Sequence, residues 1–194
     1  MNNRKNLGKL NSIQKKIDIT SSYNNTAKYY DKRYKSFQKL KFNSIFKKIK
    51  KFNADKILDL GCGTGLLFDL IKDCTNLLVG IDISTNMLKF ALKREKNHNL
   101  HLICADAEFL PFRKNVFSTI FSITVLQNLP NPIISIHEVS RVCKKNGFAI
   151  FTILKKEIEL KQFESMFNRT NLKKIVTWDM HETEDFATIR KKAH

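Results

Sequence analysis

The segment Lys56-Ile57-Leu58-Asp59-Leu60-Gly61-Cys62-Gly63-Thr64-Gly65 constrains the fold more than any other part of this chain. A short apolar run feeds directly into three glycines at alternate positions. Seventeen residues after Gly65, Asp82 ends a second apolar run, Leu77-Leu78-Val79-Gly80-Ile81. Glycines at a strand-to-helix turn let the backbone come close to a ligand where a Cβ would block it. A carboxylate at the tip of the next strand can accept hydrogen bonds from a ribose diol. The pattern predicts a pocket for an adenosine-bearing ligand at the carboxyl edge of a parallel sheet.

The downstream pattern agrees. Strands are expected near 56–60, 77–82, 100–105, 116–124, 147–154, 172–179 and 186–191, and helices near 65–73, 85–96, 132–144 and 157–168. Ser84 is a candidate helix cap and Pro132 suits a first helical turn. Lys144-Lys145-Asn146-Gly147 reads as a basic helix end followed by a glycine stop. Alternating strands and helices, with near-continuous apolar strands, argue for a sheet covered on both faces. The last two strands have no helix between them and read as an antiparallel pair. The expected class is Rossmann-like α/β: a seven-stranded, mostly parallel sheet with an antiparallel last strand and helices on both faces.

With 194 residues the chain is most simply one domain. Residues 1–20 are polar with little periodicity and read as a flexible basic tail. Residues 21–52 read as a helical segment, with Ala27, Tyr30, Tyr34 and Phe37 at intervals of three and four, and with a break near Lys41. Residues 55–194 form the expected core. No apolar run approaches the roughly 20 residues a membrane span needs. The N-terminus lacks a secretory h-region, so a cytoplasmic location is expected. Cys62, Cys74, Cys104 and Cys143 form no C-x-x-C pair, which argues against a zinc site or a disulfide framework. The formal charge is +17, and residues 1–55 hold 15 Lys+Arg against 3 Asp+Glu, a net +12. A field concentrated in this way attracts polyanions, RNA first; the plainer reading is a solvated lysine-rich face.

The glycine spacing narrows the ligand. G-x-x-x-x-G-K-[ST] is absent, and G-x-G-x-G differs from the dinucleotide spacing G-x-G-x-x-G. Ile57 to Gly65 closely resembles the first signature of class I S-adenosylmethionine-dependent methyltransferases. Val79-Gly80-Ile81-Asp82-Ile83-Ser84 resembles the second, and Ile103 to Phe112 the third. Phe117 to Leu129 falls in the place of the fourth, and Lys145-Asn146-Gly147-Phe148 is similar to the turn before the fifth strand. The resemblance spans residues 24–154. It implies S-adenosyl-L-methionine as cofactor, with Gly61, Gly63 and Gly65 in the turn beside its methionine part. It further implies that Asp59 helps hold the amino group, Asp82 the ribose hydroxyls, and Asp106 and Ala107 the adenine. Ile83, Met87 and Ala107 would form apolar walls. Ser122, Thr124 and Val125 would border the methyl group, and Tyr30 would close over the cofactor from the N-terminal segment.

The difficult chemistry lies in the cofactor, so positioning of the acceptor is the main demand on the protein. Gln127 and Asn128, after the fourth strand, are the candidate catalytic residues, orienting the acceptor through their amides. His137 and His181 are the histidines weighed as a base, and each reads as a surface group. The sequence Asn128-Leu129-Pro130 is not the Asn/Asp-Pro-Pro-Tyr-like motif of exocyclic-amine methylases. No cysteine sits there to serve cytosine C5 methylation. The signature set is similar to quinone-biosynthesis enzymes and to tRNA- and rRNA-modifying enzymes, some of which need a small zinc-binding activator subunit. The family strand order would place Leu100 to Ala105 at a sheet edge open to such a partner by strand addition. A non-catalytic RNA-binding or scaffold subunit with this fold is the rival from another class.

Overall fold

A computed structural model describes residues 2–49, 54–94 and 99–193, with backbone alone for residues 2–7 and 9. The chain opens with a long helix, α1 (Asn2–Lys48). There follow β1 (Lys56–Leu60), α2 (Phe68–Ile71), β2 (Leu77–Asp82), α3 (Thr85–Leu92), β3 (Leu100–Cys104) and β4 (Phe117–Ile123). The second half holds α4 (Pro132–Val142), β5 (Cys143–Leu154), α5 (Leu160–Ser165), β6 (Leu172–Met180) and β7 (Asp185–Lys192). The seven strands form one sheet in the order β3-β2-β1-β4-β5-β7-β6. β1 pairs in parallel with β2 and β4, β2 with β3, and β4 with β5. β7 runs antiparallel to both β5 and β6. The expected fold class is therefore the observed one.

Strand periodicity divides the core. Leu58 and Leu60 join a cluster with Ile120, Phe151 and Phe163 on one face of the sheet. Ile57 joins Phe68, Phe121, Ile150 and Ile45 on the other. Successive side chains point to opposite faces, so an apolar strand needs cover on both. The order reverses at β1, between β2 and β4. In open α/β sheets ligands bind at that switch point, beyond the carboxyl ends of the strands.

The N-terminal segment departs from the sequence reading. Residues 2–20 are helical, where an irregular tail was expected, and α1 runs through Lys41 without the expected break. Helix-compatible residues dominate here, with support from i,i+4 bonds such as Gln14 to Asp18 at 2.9 Å. The helix seats on the core through few apolar side chains. Among the described residues of α1 only Ala27, Lys41, Phe42 and Ile45 are buried. Polar contacts do much of the rest. Asn24 Oδ1 accepts from Ser84 Oγ at 2.7 Å and from Asn86 N at 3.1 Å. Asp31 pairs with Arg94 and accepts from Thr64 Oγ1 at 2.5 Å.

Other boundaries shift as well. The helix expected over 65–73 shortens to α2, Phe68–Ile71, preceded by a turn and followed by a 3-10 turn over Lys72–Cys74. The helix expected over 132–144 stops at Val142, and Lys144 to Gly147 lie within β5 beside a bulge against β4. Asn146, at φ 61°, takes the left-handed conformation that the sequence reading gave to the glycine. The last residues of the helix expected over 85–96 lie outside the described residues.

Candidate functional site

A cleft with about 750 Å³ of empty space, partly open to solvent, lies at the switch point. Its floor is the end of β1 and the following turn. Gly61, Gly63 and Gly65 all have positive φ, between 54° and 77°. A Cβ at Gly63 would reach only Tyr30 Cε1, at 3.9 Å, so this backbone stays open to a ligand. Gly65 differs. A Cβ there would lie 2.5 Å from the Phe68 ring, so this glycine serves packing of the turn on α2. It is not among the residues that line the cleft.

Asp82, at the tip of β2, is held by backbone donors. Gly63 N donates to Oδ2 at 2.9 Å and Ser84 N to Oδ1 at 2.8 Å. Burial pushes its pKa up, and these N–H groups oppose the shift. Ile83, Met87, Ala105, Asp106 and Ala107 complete this side of the cleft. Ser84 caps α3 by accepting from Met87 N at 3.1 Å, which fixes Met87 in the wall.

Asp59 lies behind the glycine turn. It lines a second, smaller cavity with Tyr30, Gln38, Gly61 and Cys62. Burial, reinforced by the charge of Asp82, pushes its carboxyl up to about 8. Gln38 Oε1 in the same cavity is buried without a hydrogen-bond partner. A raised carboxyl beside an orphaned acceptor is a site for a hydrogen-bond-donating cation. An ammonium group, which only donates, fits those acceptors.

The other wall comes from the end of β4 and from α1. Thr124 and Asn128 line the cleft. Asn128 Nδ2 donates to Tyr23 Oη at 2.9 Å. Gln127 does not reach the cleft. Its Nε2 donates to Thr124 O at 2.8 Å and its Oε1 is buried without a partner. The short 3-10 turn over Leu126–Asn128 directs the two neighbouring amides differently, Asn128 toward the cleft and Gln127 back onto the backbone. Ser122 is fully buried in the sheet and lines neither cavity. His137 and His181 are exposed; His181 pairs with Asp179 at 3.1 Å, and neither lines the cleft.

Four residues of α1 complete the cleft: Lys16, Ile19, Tyr23 and Tyr30. Lys16 Nζ donates to Asp106 Oδ2 at 2.6 Å and also pairs with Glu108. Burial works against the Lys16 charge, but the two carboxylates outweigh it and raise its pKa. Lys15 Nζ donates to Leu129 O at 2.9 Å. Lys16, Ile19, Tyr23 and Tyr30 recur at three-, four- and seven-residue steps on one helix face. That signal was present in the sequence but was hidden while residues 1–20 read as a tail. Gln38 carried no such signal.

Residues 58–151 match the family model for a methyltransferase domain. Together with the sheet order, this makes the chain similar to class I S-adenosylmethionine-dependent methyltransferases. The cofactor of that class is S-adenosylmethionine. The chain is 30% identical over 148 residues to a malonyl-[acyl-carrier protein] O-methyltransferase of Marinomonas sp. (strain MWYL1), covering 75% of this chain and 54% of the relative. It is 30% identical over 143 residues to a demethylmenaquinone methyltransferase of Staphylococcus carnosus, covering 70% and 59%. The chain thus spans little more than half the length of these relatives. Among solved structures it resembles a methyltransferase determined in complex with the Haloferax volcanii Trm112 methyltransferase activator. That likeness has a TM-score of 0.78 at 14% identity and covers 89% of this chain and 98% of the other. At that identity it establishes the fold alone.

Proposed function

We propose that this chain transfers a methyl group from S-adenosylmethionine to RNA. The observation that carries the acceptor reading is α1. This basic helix supplies one wall of the cleft, and it continues beyond it with Lys28, Lys32, Arg33, Lys35 and Lys39 exposed. Tyr29, Tyr34 and Phe37 are exposed among them, offering stacking surfaces beside the cations.

The cofactor, when bound, supplies an activated methyl on a sulfonium with a good leaving group. The chain's own groups hold and shield it. Asp82 accepts from the ribose hydroxyls, and its carboxylate is already oriented by Gly63 and Ser84. Asp106 and Ala107 would hold the adenine, with Ile83 and Met87 as apolar walls. Asp59 and Gln38 would accept from the ammonium end. Ile19, Tyr23 and Tyr30 cover the cleft and exclude water, so the N-terminal helix acts as a lid. Thr124 and Asn128 face the acceptor. Among the described residues, the titratable side chains lining the cleft are Lys16, Tyr23, Tyr30, Asp82 and Asp106, with no histidine. Burial drives the pKa of Tyr23 and Tyr30 upward, which keeps both neutral. Positioning is then the chain's main contribution to rate.

A small-molecule acceptor is the second reading, supported by the relatives that act on malonyl-acyl-carrier protein and demethylmenaquinone. A partner reading accompanies both. β3 is an edge strand of the sheet, with His101 and Cys104 exposed. A small zinc-binding activator adding a strand there is supported by the structural likeness to a methyltransferase bound to Trm112. Incubation with radiolabelled methyl donor and fractionated cell extract tests the acceptor. Label in RNA supports the first reading, and label in small molecules or carrier protein replaces it with the second.

A further inference from the structure

Thr124 holds an unusual conformation. It directly follows β4, in the cleft wall, with φ 61°, a value that β-branched residues rarely adopt. Such a conformation persists only where its surroundings over-determine it, and here they do. Thr124 N donates to Thr152 Oγ1 at 2.9 Å and to Thr152 O at 3.2 Å. Its carbonyl accepts from Gln127 Nε2 at 2.8 Å and from Asn128 Nδ2 at 3.4 Å. Its hydroxyl accepts from Lys41 Nζ at 2.7 Å.

Lys41 is itself anomalous. It is 5% exposed and projects from α1 into the core, where it pairs with Asp185 Oδ2 at 2.9 Å. Asp185 is fully buried at the start of β7. A buried ion pair is often no more stabilising than well-packed apolar residues of the same volume. Its geometry here supplies something apolar residues cannot, a directed donor to the hydroxyl of Thr124. Val125, next in the chain, packs on Gly61 so closely that a Cβ there would lie 2.5 Å from Val125 Cγ2. The conformation of Thr124 therefore sets where Val125 and Asn128 stand in the cleft.

We propose that Lys41, anchored by Asp185, is a positioning residue that locks Thr124 in its left-handed conformation and so ties the seating of α1 to the shape of the methyl-transfer wall. The functional meaning of that wall rests on the methyltransferase reading; the lock itself does not.

The test uses the full chain and NMR of the Thr124, Val125 and Asn128 backbone without ligand. Lys41→Met is expected to move the Thr124 carbon shifts from left-handed toward extended values and to displace the Val125 and Asn128 amides. Adding Thr124→Gly to Lys41→Met should return the Val125 and Asn128 amides toward wild type, since glycine adopts positive φ freely. A merely structural role for Lys41 would gain nothing from that second change. Asp185→Asn serves if Lys41→Met does not fold, and should shift the same nuclei in the same direction. Unmoved Thr124 shifts in the folded variant, or a double variant no closer to wild type than Lys41→Met, overturns the proposal. Calorimetry with S-adenosylhomocysteine runs alongside. Lys41→Met should bind about tenfold more weakly than wild type, the scale of a released backbone strain. If wild type itself fails to bind, the methyltransferase reading falls while the shift data still judge the lock.

Discussion

Asp59 shows how far one residue's surroundings set its chemistry. Burial and the charge of Asp82 hold its carboxyl up to about 8, so the ligand-free protein keeps it mostly protonated at neutral pH. The folded pKa lies above the unfolded value of 3.8, so the associated stability is full below about pH 4 and lost as pH rises through 8. The ligand-free protein should therefore melt at lower temperature at pH 9 than at pH 6, and Asp59→Asn should flatten that slope; an unchanged slope would assign the loss to other groups. An ammonium bound beside Asp59 favours the carboxylate. Cofactor binding at pH 7 should thus release a proton, visible in calorimetry as heat that depends on the buffer. Asp82→Ala should weaken cofactor binding by about 1–3 kcal/mol, the scale of lost charge-assisted hydrogen bonds. Unchanged affinity would remove Asp82 from the site. Two glycines of the same turn should differ in degree. Gly63→Ala and Gly65→Ala both force a Cβ onto positive φ and should lower the melting temperature; Gly65→Ala should lower it further, because its Cβ also collides with Phe68 in the core, while Gly63→Ala should in addition weaken ligand binding.

At the scale of elements, the sequence was most legible where one physical rule dominated. β1 and β2 combine apolar runs with a glycine turn and a terminal acid, and all of these lie where the pattern predicts. The edge position of β3 followed from family strand order and is observed. α1 was half legible. Its second half carries Ala27, Phe42 and Ile45 toward the core. Its first half docks through Lys15, Lys16 and Asn24, and its apolar share in the cleft, Ile19 and Tyr23, is too short a stripe to stand out. Lys144 to Gly147 misled for another reason: a basic run with Gly matches a helix stop, yet these residues form a bulged strand start. Lys16 makes α1 a testable lid. Lys16→Met should free Asp106 and Glu108 and speed both entry and exit of S-adenosylhomocysteine in stopped-flow measurements. Identical rates would mean that the helix does not gate the cleft.

For the whole molecule, the uneven charge is the feature with the widest consequence. The net +12 of residues 1–55 lies largely on the helix that covers the cleft, so one element both closes the site and presents cations to a polyanion. If RNA is the acceptor, neutralising Lys28, Lys32 and Lys35 should reduce the salt slope of RNA binding by about 0.7 per lost phosphate contact on single strands. An unaltered slope would move the contact off this helix. The most direct test of the whole account is to determine the structure with S-adenosylhomocysteine bound and to measure its stoichiometry by calorimetry. The account predicts one molecule per chain, its ribose on Asp82 and its amino group in the cavity of Asp59 and Gln38. Absence of binding heat, or a ligand seated away from the Gly61–Gly63 turn, would contradict it.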